Sequence, residues 1–584
     1  MNPPPTGSTS SLARRGANYF GMLSAAEFIV ACVLFAILVA ANILNVLHHE
    51  FDSDEPYHVH VIWSWTRGLV QYRDVFDNHM PLMHLAFAPI VGLIGERPTI
   101  LFWMRFLLLP MYFVTALCSY RIGASLFSRR VGIWAVLVLG FFSGYFSLAY
   151  QFRTDNLWTP LWMLCVATLV CGEMTTRRAA IAGLLLGLCF GISMKSILFL
   201  VSIIGSLLVL ALIVGHHSKI LRPANLAKLV AVLCGTAALV PAVIMVFFAA
   251  KGLWPDFSYQ VFEFNFLARL APSSHSFIAI MVLTLVAVGF VYVARQIFRR
   301  SSDPNVALRR AFVLLLCVVY LFLIEAFWPL SKTYLPAYPL GAILFGAGLF
   351  ALSEKLSRKN APVTRVTKLI PLPAIAAFCE IALLLTGEPI WKDRTSGQTN
   401  LVRDVLALTQ PGDYVLDCKG ETIFRRRCFR PLLERITRKA IKRGLIIDDA
   451  PRRCVETRTC AVATSMIHRY SDSTREFIER TYLPVTDSLR VAGAVLRPSA
   501  GSPHQFQFEV VIPATYKIIS LDGDTSGLLD STPYRSGRSL AAGPHVFEST
   551  SASDEFILLW GPAADRHFTP LKFQAKIDIR AARP

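Results

Sequence analysis

The stretch Pro81–Gly95, PLMHLAFAPIVGLIG, decides how this 584-residue chain is arranged. It is apolar over 15 residues, whereas a helix needs about 20 to cross a bilayer. Other apolar runs lie near 25–47, 99–120, 131–150, 156–174, 179–194, 196–215, 226–250, 275–295, 309–328, 333–352 and 368–390. If 81–95 does not cross, one side of the membrane collects Arg14/Arg15, Arg121/Arg129/Arg130, Arg177/Arg178, Lys219/Arg222/Lys228, Arg295 through Arg310, and Lys355 through Lys368. A side so enriched in short basic loops is cytoplasmic. If 81–95 does cross, every later cluster moves outside and the bias inverts. The expectation is therefore an interfacial helix at 81–95 and about 11 spans.

Composition agrees with a polytopic α-helical membrane protein. Hydrophobic residues make up 54%, charged residues 17%, and the mean hydropathy is +0.49, which excludes an ordinary soluble or disordered chain. The apolar runs stop near 390, and 391–584 is polar. The expected layout is a cytoplasmic tail 1–24, a transmembrane domain 25–390 with a first outer loop 48–98, and an extracytoplasmic tail. That tail divides by texture into an α/β region 391–488 and a β-sandwich-like region 489–584. The first run follows Arg14 and Arg15 without a convincing cleavage site, so it reads as an anchor.

The net charge of +19 does not point to nucleic acid. Residues 391–584 hold 29 Lys and Arg against 22 Asp and Glu, and most of the remaining +12 lies in short loops between apolar runs. Positive-inside bias accounts for it. Eight of the 12 cysteines sit in apolar segments as small hydrophobes. Cys418, Cys428, Cys454 and Cys460 cluster in the polar tail and fit two disulfides in an oxidising compartment, with the pairing open.

Within the tail, DYVLD (413–417) reads as a strand, 431–443 as a basic helix, CAVATSMI (460–467) as an apolar segment and TREFIERTYLPV as helix turning into strand. From about 489, short runs such as FQFEVVI, YKIISL and EFILLW alternate and are split by Gly, Pro, Asp and Ser, as in a small antiparallel β-sandwich. Between Lys419 and Arg443 ten basic residues face only Glu421 and Glu434. A solvated helix face is the default reading, and contact with an anionic headgroup or phosphorylated glycan is the sharper one.

Chemistry concentrates in the first outer loop, FDSDEPYHVHVIWSWTRGLVQYRDVFDNHMPL (51–82). Carboxylates clustered beside a membrane need a reason, because they are costly to bury there. An Asp-Glu pair, Asp54 and Glu55, follows the first span; YRDVFDNHMPL then leads into the interfacial segment. RTD (Arg153–Asp155) lies at the outer end of a span, GLCFGISMKS ends another with Lys195, and KTYLPAYPL spans 332–340. In their order and shared outer face these motifs resemble the GT-C superfamily of membrane glycosyltransferases. The resemblance is closest to the branch with protein O-mannosyltransferases and lipid A aminoarabinose transferases, and it covers most of 48–345. One departure stands out: relatives often carry Asp-Lys-Pro-Pro where this chain has Asn78-His79-Met80-Pro81, so a lysine that meets donor phosphate is replaced, in part, by His79.

The resemblance implies an inverting transfer of a sugar from a polyprenyl-phosphate donor to a lipid, glycan or protein acceptor of the cell envelope. It also implies contact with membrane lipids, on the outer face of a bacterial inner membrane with the tail periplasmic. Such a reaction needs one base to deprotonate the acceptor hydroxyl. A phosphate leaving group needs positive charge rather than a general acid. Asp54 is the expected base, with Glu55 orienting it or binding sugar hydroxyls. Arg153, Lys195 and His79 would hold donor phosphate, and Asp155 would bind sugar or a cation, or position an arginine. Asp52, outside the pair, is expected to tolerate change.

No cofactor is required by this scheme. A divalent cation is the one candidate, on Asp54 and His58, which would share a helical face, without a strict two-His motif. P-loops are absent, so no nucleotide site is expected. The competing class is a secondary transporter or flippase, which needs ionisable groups at mid-membrane depth; only isolated ones appear, with Glu325 and Glu380 the candidate transport carboxylates. A third class, a non-catalytic assembly or sensor protein, leaves the Asp-Glu loop unexplained.

Overall fold

A computed structural model describes residues 23–214, 223–267, 277–327, 330–358, 370–387, 389–499, 501–520, 523–551 and 555–571. The expected amino-terminal tail lies, apart from its last two residues, outside the described residues, as do most of the basic clusters at 219–222 and 359–368.

Helices occupy each of the apolar runs: Ala25–His48, Ile100–Leu126, Arg129–Phe141, Thr154–Val170, Thr176–Ile192, Ile197–Val214, Pro223–Ala250, Phe277–Arg300, Pro304–Phe327, Ala337–Arg358 and Leu372–Thr386. Among the described residues, six helices are long and apolar enough to cross a membrane. The protein is an integral membrane protein with a polytopic helical domain. Its largest apolar cluster includes Phe51, Trp158, Trp162, Phe199 and Ile343 and reaches Val402, Ile423 and Phe424 of the tail. The rings of Trp162 and Phe199 stack at 4.1 Å, an offset aromatic pairing that buries large apolar surface in the core.

The deciding segment forms the helix Leu82–Ile94, 13 residues or about 20 Å long, against a hydrocarbon core of about 30 Å. Both of its ends meet the loop helix Asp54–Thr66. At the start, His84 Nε2 lies 3.0 Å from His58 Nδ1; just past the end, Glu96 accepts from Trp63 Nε1 at 3.0 Å. Glu96 also accepts from Arg425 of the tail at 2.9 Å. The helix therefore lies alongside Asp54–Thr66, with both ends on the tail's side of the bundle.

The tail joins its two textures in one sheet. Strands β1 (Tyr414–Leu416), β2 (Arg426–Arg427), β3 (Ala461–Ala463), β4 (Tyr482–Pro484) and β5 (Leu489–Leu496) come first. The later strands are β6 (Pro498–Ser499), β7 (Ser502–Val510), β8 (Ala514–Ser520), β9 (Gly527–Leu529), β10 (Thr532–Tyr534), β11 (Arg538–Leu540), β12 (Gly543–Ser549) and β13 (Phe556–Trp560). The order is β11-β8-β13-β5-β3-β1-β2, with β4 also on β5. The boundary expected at 489 thus runs through the middle of a sheet: the first half of β5 pairs with β3 on one edge and β4 on the other, and its second half pairs with β13. A second sheet of five strands packs over the later part, and one apolar cluster runs from Leu401 to Ala563. Alternation in the sequence marks antiparallel strands but not which sheet they extend, so the change of texture at 489 resembled a domain boundary.

Candidate active site

The loop helix Asp54–Thr66 starts two residues after Asp52, whose Oδ1 accepts the Asp54 N–H at 2.9 Å. This turn aims Asp54 into a cavity of about 770 Å³. The walls come from the loop after the first helix (Asn78, His79), from the ends of membrane helices (Arg153, Asp155, Lys195, Lys332) and from the tail (Lys419, Glu434, Arg435, Arg438, Arg469). Seven Lys or Arg line it against three acids, Asp54, Asp155 and Glu434, so it is built for an anion. Ile197, Leu198, Val261, Phe262 and Leu330 form an apolar flank at the helix ends.

Asp54 is ringed by cations. Its Oδ2 lies 2.6 Å from Arg153 Nη2 and 2.8 Å from Lys332 Nζ, and its Oδ1 pairs with Lys419 Nζ. Burial alone would raise its pKa, but Arg153, then Lys419 and Lys332, outweigh it and hold the carboxyl well below the usual carboxylate range. Arg153 also reaches Asp52 and Asp155, each at 3.2 Å. Its Nε is buried with no hydrogen-bond partner among the described residues. Lys195 Nζ lies 3.5 Å from Asp155 Oδ1. His79 lines the cavity, with Nδ1 held 3.0 Å from Asp77 Oδ1.

Four of the expected site residues, Asp54, Arg153, Asp155 and Lys195, therefore meet at one cavity, with His79 on its wall. Glu55 does not. It is fully buried and faces the bundle, where Arg105 donates to it at 2.6 and 2.7 Å. The N–H groups of Phe152 and Asp52 donate to it as well, each at 2.9 Å. With its oxygens so engaged it binds no sugar hydroxyl, because the helical turn that aims Asp54 outward sends its neighbour the other way.

Asp52, expected to tolerate change, belongs to the cluster: Lys332 Nζ lies 3.0 Å from both of its oxygens. Lys332 and Lys419 were not singled out. Lys332 opens KTYLPAYPL, which was the available signal; Lys419 had none beyond membership of a basic run.

A divalent cation does not fit Asp54 and His58. Three cationic side chains already crowd the Asp54 carboxylate, and His58 turns Nδ1 to His84. No group of three or more His, Cys, Asp or Glu among the described residues has the arrangement of a metal site. Among the tail cysteines, Cys428 and Cys454 lie 3.5 Å apart between sulfurs. Cys418 donates to Met466 O at 3.2 Å and Cys460 to Arg458 O at 3.5 Å. One pair, not two, is brought together.

No protein-family model matches the sequence, and comparison with curated proteins finds no match. Among solved structures, the chain is similar to ArnT from Cupriavidus metallidurans bound to undecaprenyl phosphate. That match has a TM-score of 0.52 and 13% identity, over 80% of this chain and 98% of that one. The apo state of ArnT gives 0.51 and 13% over the same shares. AglB, the oligosaccharyltransferase of Archaeoglobus fulgidus, overlaps 84% of this chain and 73% of its own at 12% identity, with a TM-score of 0.47. At such identity the likeness to ArnT is one of architecture: the chain has a GT-C-like membrane fold.

Proposed function

We propose that the protein is an inverting glycosyltransferase that moves a sugar from a polyprenyl-phosphate donor to a cell-envelope acceptor. The reading places the reaction at the outer face of a bacterial inner membrane, with the tail in the periplasm. The observation that carries it is the Asp54 carboxylate facing a cavity lined by seven cations, with an apolar flank at the ends of membrane helices. The apolar flank suits a prenyl chain and the cations suit its phosphate; undecaprenyl phosphate is the molecule bound to ArnT of the same fold.

In this scheme Arg153, Lys195 and Lys332 hold the donor phosphate and Asp54 accepts the proton of the acceptor hydroxyl. The acceptor oxygen bonds to the anomeric carbon as the bond from that carbon to the phosphate oxygen breaks, and polyprenyl phosphate leaves. Charge on the leaving oxygen grows along this path, so the surrounding cations stabilise the transition state more than the ground state. A carboxylate held at low pKa is a feeble base. A phosphate that draws Arg153 and Lys332 toward itself strengthens it, so the base gains power when the donor arrives.

A transporter gains no support from the geometry. Glu325 accepts from Tyr334 and Glu380 from the Ser143 N–H at 3.1 Å, so both candidate transport carboxylates have local partners. The test is Asp54→Asn, scored by sugar transfer from a polyprenyl-phosphate donor in liposomes and by mass analysis of envelope glycans. The expected loss is ~10²–10⁴-fold, the range for removal of a general base, with undecaprenyl phosphate still bound. Near-normal transfer removes Asp54 from the reaction.

A further inference from the structure

The loop that presents Lys419 is built at visible cost. In the tail sequence Asp417-Cys418-Lys419-Gly420-Glu421-Thr422, two acids are buried within a few residues of each other. Glu421 accepts the N–H groups of Cys418 and Lys419, at 3.0 and 2.6 Å. Asp417 accepts those of Gly420 and Thr422, at 2.8 and 3.1 Å, and the Thr422 hydroxyl at 2.6 Å. Gly420 has φ +90°, and a Cβ there would stand 3.0 Å from His60 of the loop helix, so only glycine lets the turn seat that closely. Burying neighbouring carboxylates is unfavourable unless each is hydrogen-bonded. What the arrangement delivers is one ammonium, 4% exposed, set between Asp54 and Glu434.

The three cations on Asp54 are not equivalent. Arg153 and Lys332 share Oδ2 and are tied also to Asp52, and Arg153 to Asp155. Lys419 alone among the described side chains pairs with Oδ1, and it holds Glu434 at 2.5 Å as its other partner. Oδ1 is the oxygen an acceptor hydroxyl would need. We infer that Lys419 is a donor-responsive clamp: it covers Oδ1 of Asp54 in the empty site and shifts to the donor phosphate when that binds, keeping Glu434 and uncovering the base. This rests on the function proposed above and adds to it that the tail supplies a donor-phosphate ligand. A base uncovered only by the donor also sets the order of binding, donor before acceptor.

The probe is undecaprenyl phosphate alone, titrated into the full-length chain in detergent micelles, with thermal unfolding as the check on folding. Lys419→Met should weaken binding by at least about 10-fold, equivalent to about 1.4 kcal/mol, and Lys419→Arg should restore most of it. Asp54→Asn, which releases the clamp, should tighten binding severalfold. That gain should shrink markedly in the Lys419→Met background, a coupling that a merely structural lysine does not produce. Wild-type affinity in a folded Lys419→Met protein overturns the clamp, as does an Asp54→Asn gain that is the same with and without Lys419. Should Lys419→Met not fold, Asp54→Asn with no gain in affinity overturns it by itself. The proposed function fails separately: if the wild type does not bind the probe and Arg153→Ala changes nothing, the donor reading falls. If the wild type binds and Arg153→Ala weakens it while Lys419→Met does not, only the clamp falls.

Discussion

Glu55→Gln should damage the fold before it damages catalysis. Glu55 is fully buried with four donors on its two oxygens: Arg105 Nε at 2.7 Å, Arg105 Nη2 at 2.6 Å, and the N–H groups of Phe152 and Asp52 at 2.9 Å. An amide can face only some of these with its oxygen, and its NH₂ then points at donors. Breaking a buried ion pair from one side costs about 3–5 kcal/mol because the remaining charge is left uncompensated. Here the remaining Arg105 keeps three backbone acceptors, Val46 O at 3.2 Å, His49 O at 2.8 Å and Glu50 O at 3.0 Å, and lies 4.1 Å over the Phe51 ring. The cost should therefore fall at the lower end, about 3 kcal/mol, a shift of roughly 10²-fold in the folding equilibrium. The assay is thermal unfolding of purified protein in detergent, beside undecaprenyl phosphate binding on the fraction that stays folded. The double variant Glu55→Gln/Arg105→Met, which removes both charges, should lose less than the two single losses combined. A Glu55→Gln protein that melts like the wild type yet transfers no sugar would refute this reasoning and return Glu55 to the reaction.

Three further outcomes are expected. Asp52→Asn keeps an oxygen for the Asp54 N–H but loses the charge that Lys332 contacts at 3.0 Å through both oxygens. Transfer should therefore fall about tenfold, the scale of one charge-assisted contact, and unchanged turnover in the liposome assay would show that Asp52 is a bystander. In an oxidising compartment Cys428 and Cys454, 3.5 Å apart, should close to a disulfide worth about 3 kcal/mol to the tail. Alkylation of unfolded, unreduced protein should then label Cys418 and Cys460 but spare that pair, and labelling of all four would exclude the bridge. Burial, then Asp417, raises the Glu421 carboxyl to about 7. An acid whose folded pKa is raised stabilises the fold most below its unfolded pKa, and that contribution is lost as pH rises through about 7. Denaturant unfolding of the protein should show the tail losing up to ~3 kcal/mol between pH 4.5 and pH 7 from this group, and a tail that gains stability over that window would contradict the buried, protonated Glu421.

The membrane helices could be placed from sequence because their signal is local. The bilayer tests each run of about 20 residues against hydrocarbon, and loop charge orients the set. The same logic sets Pro81–Gly95 apart as an expected interfacial segment, and both ends of Leu82–Ile94 lie against Asp54–Thr66. Asp54, Arg153, Asp155 and Lys195 were legible through short motifs at span ends, where a charge beside lipid calls for an explanation. What those charges touch was not legible. Lys332 reaches Asp54 across 278 positions and Lys419 across 365, and no periodicity or spacing encodes a contact of that range. The diverging fates of Asp54 and Glu55 turn on one step of helical rotation, about 100°, which sends one carboxylate to the cavity and its neighbour to Arg105. Hydropathy thus determined which segments form the apolar helices, because the bilayer selects for it run by run. Tertiary structure alone decided which carboxylate faces the cavity and which cations surround it, because partners for buried charge are chosen by proximity in space.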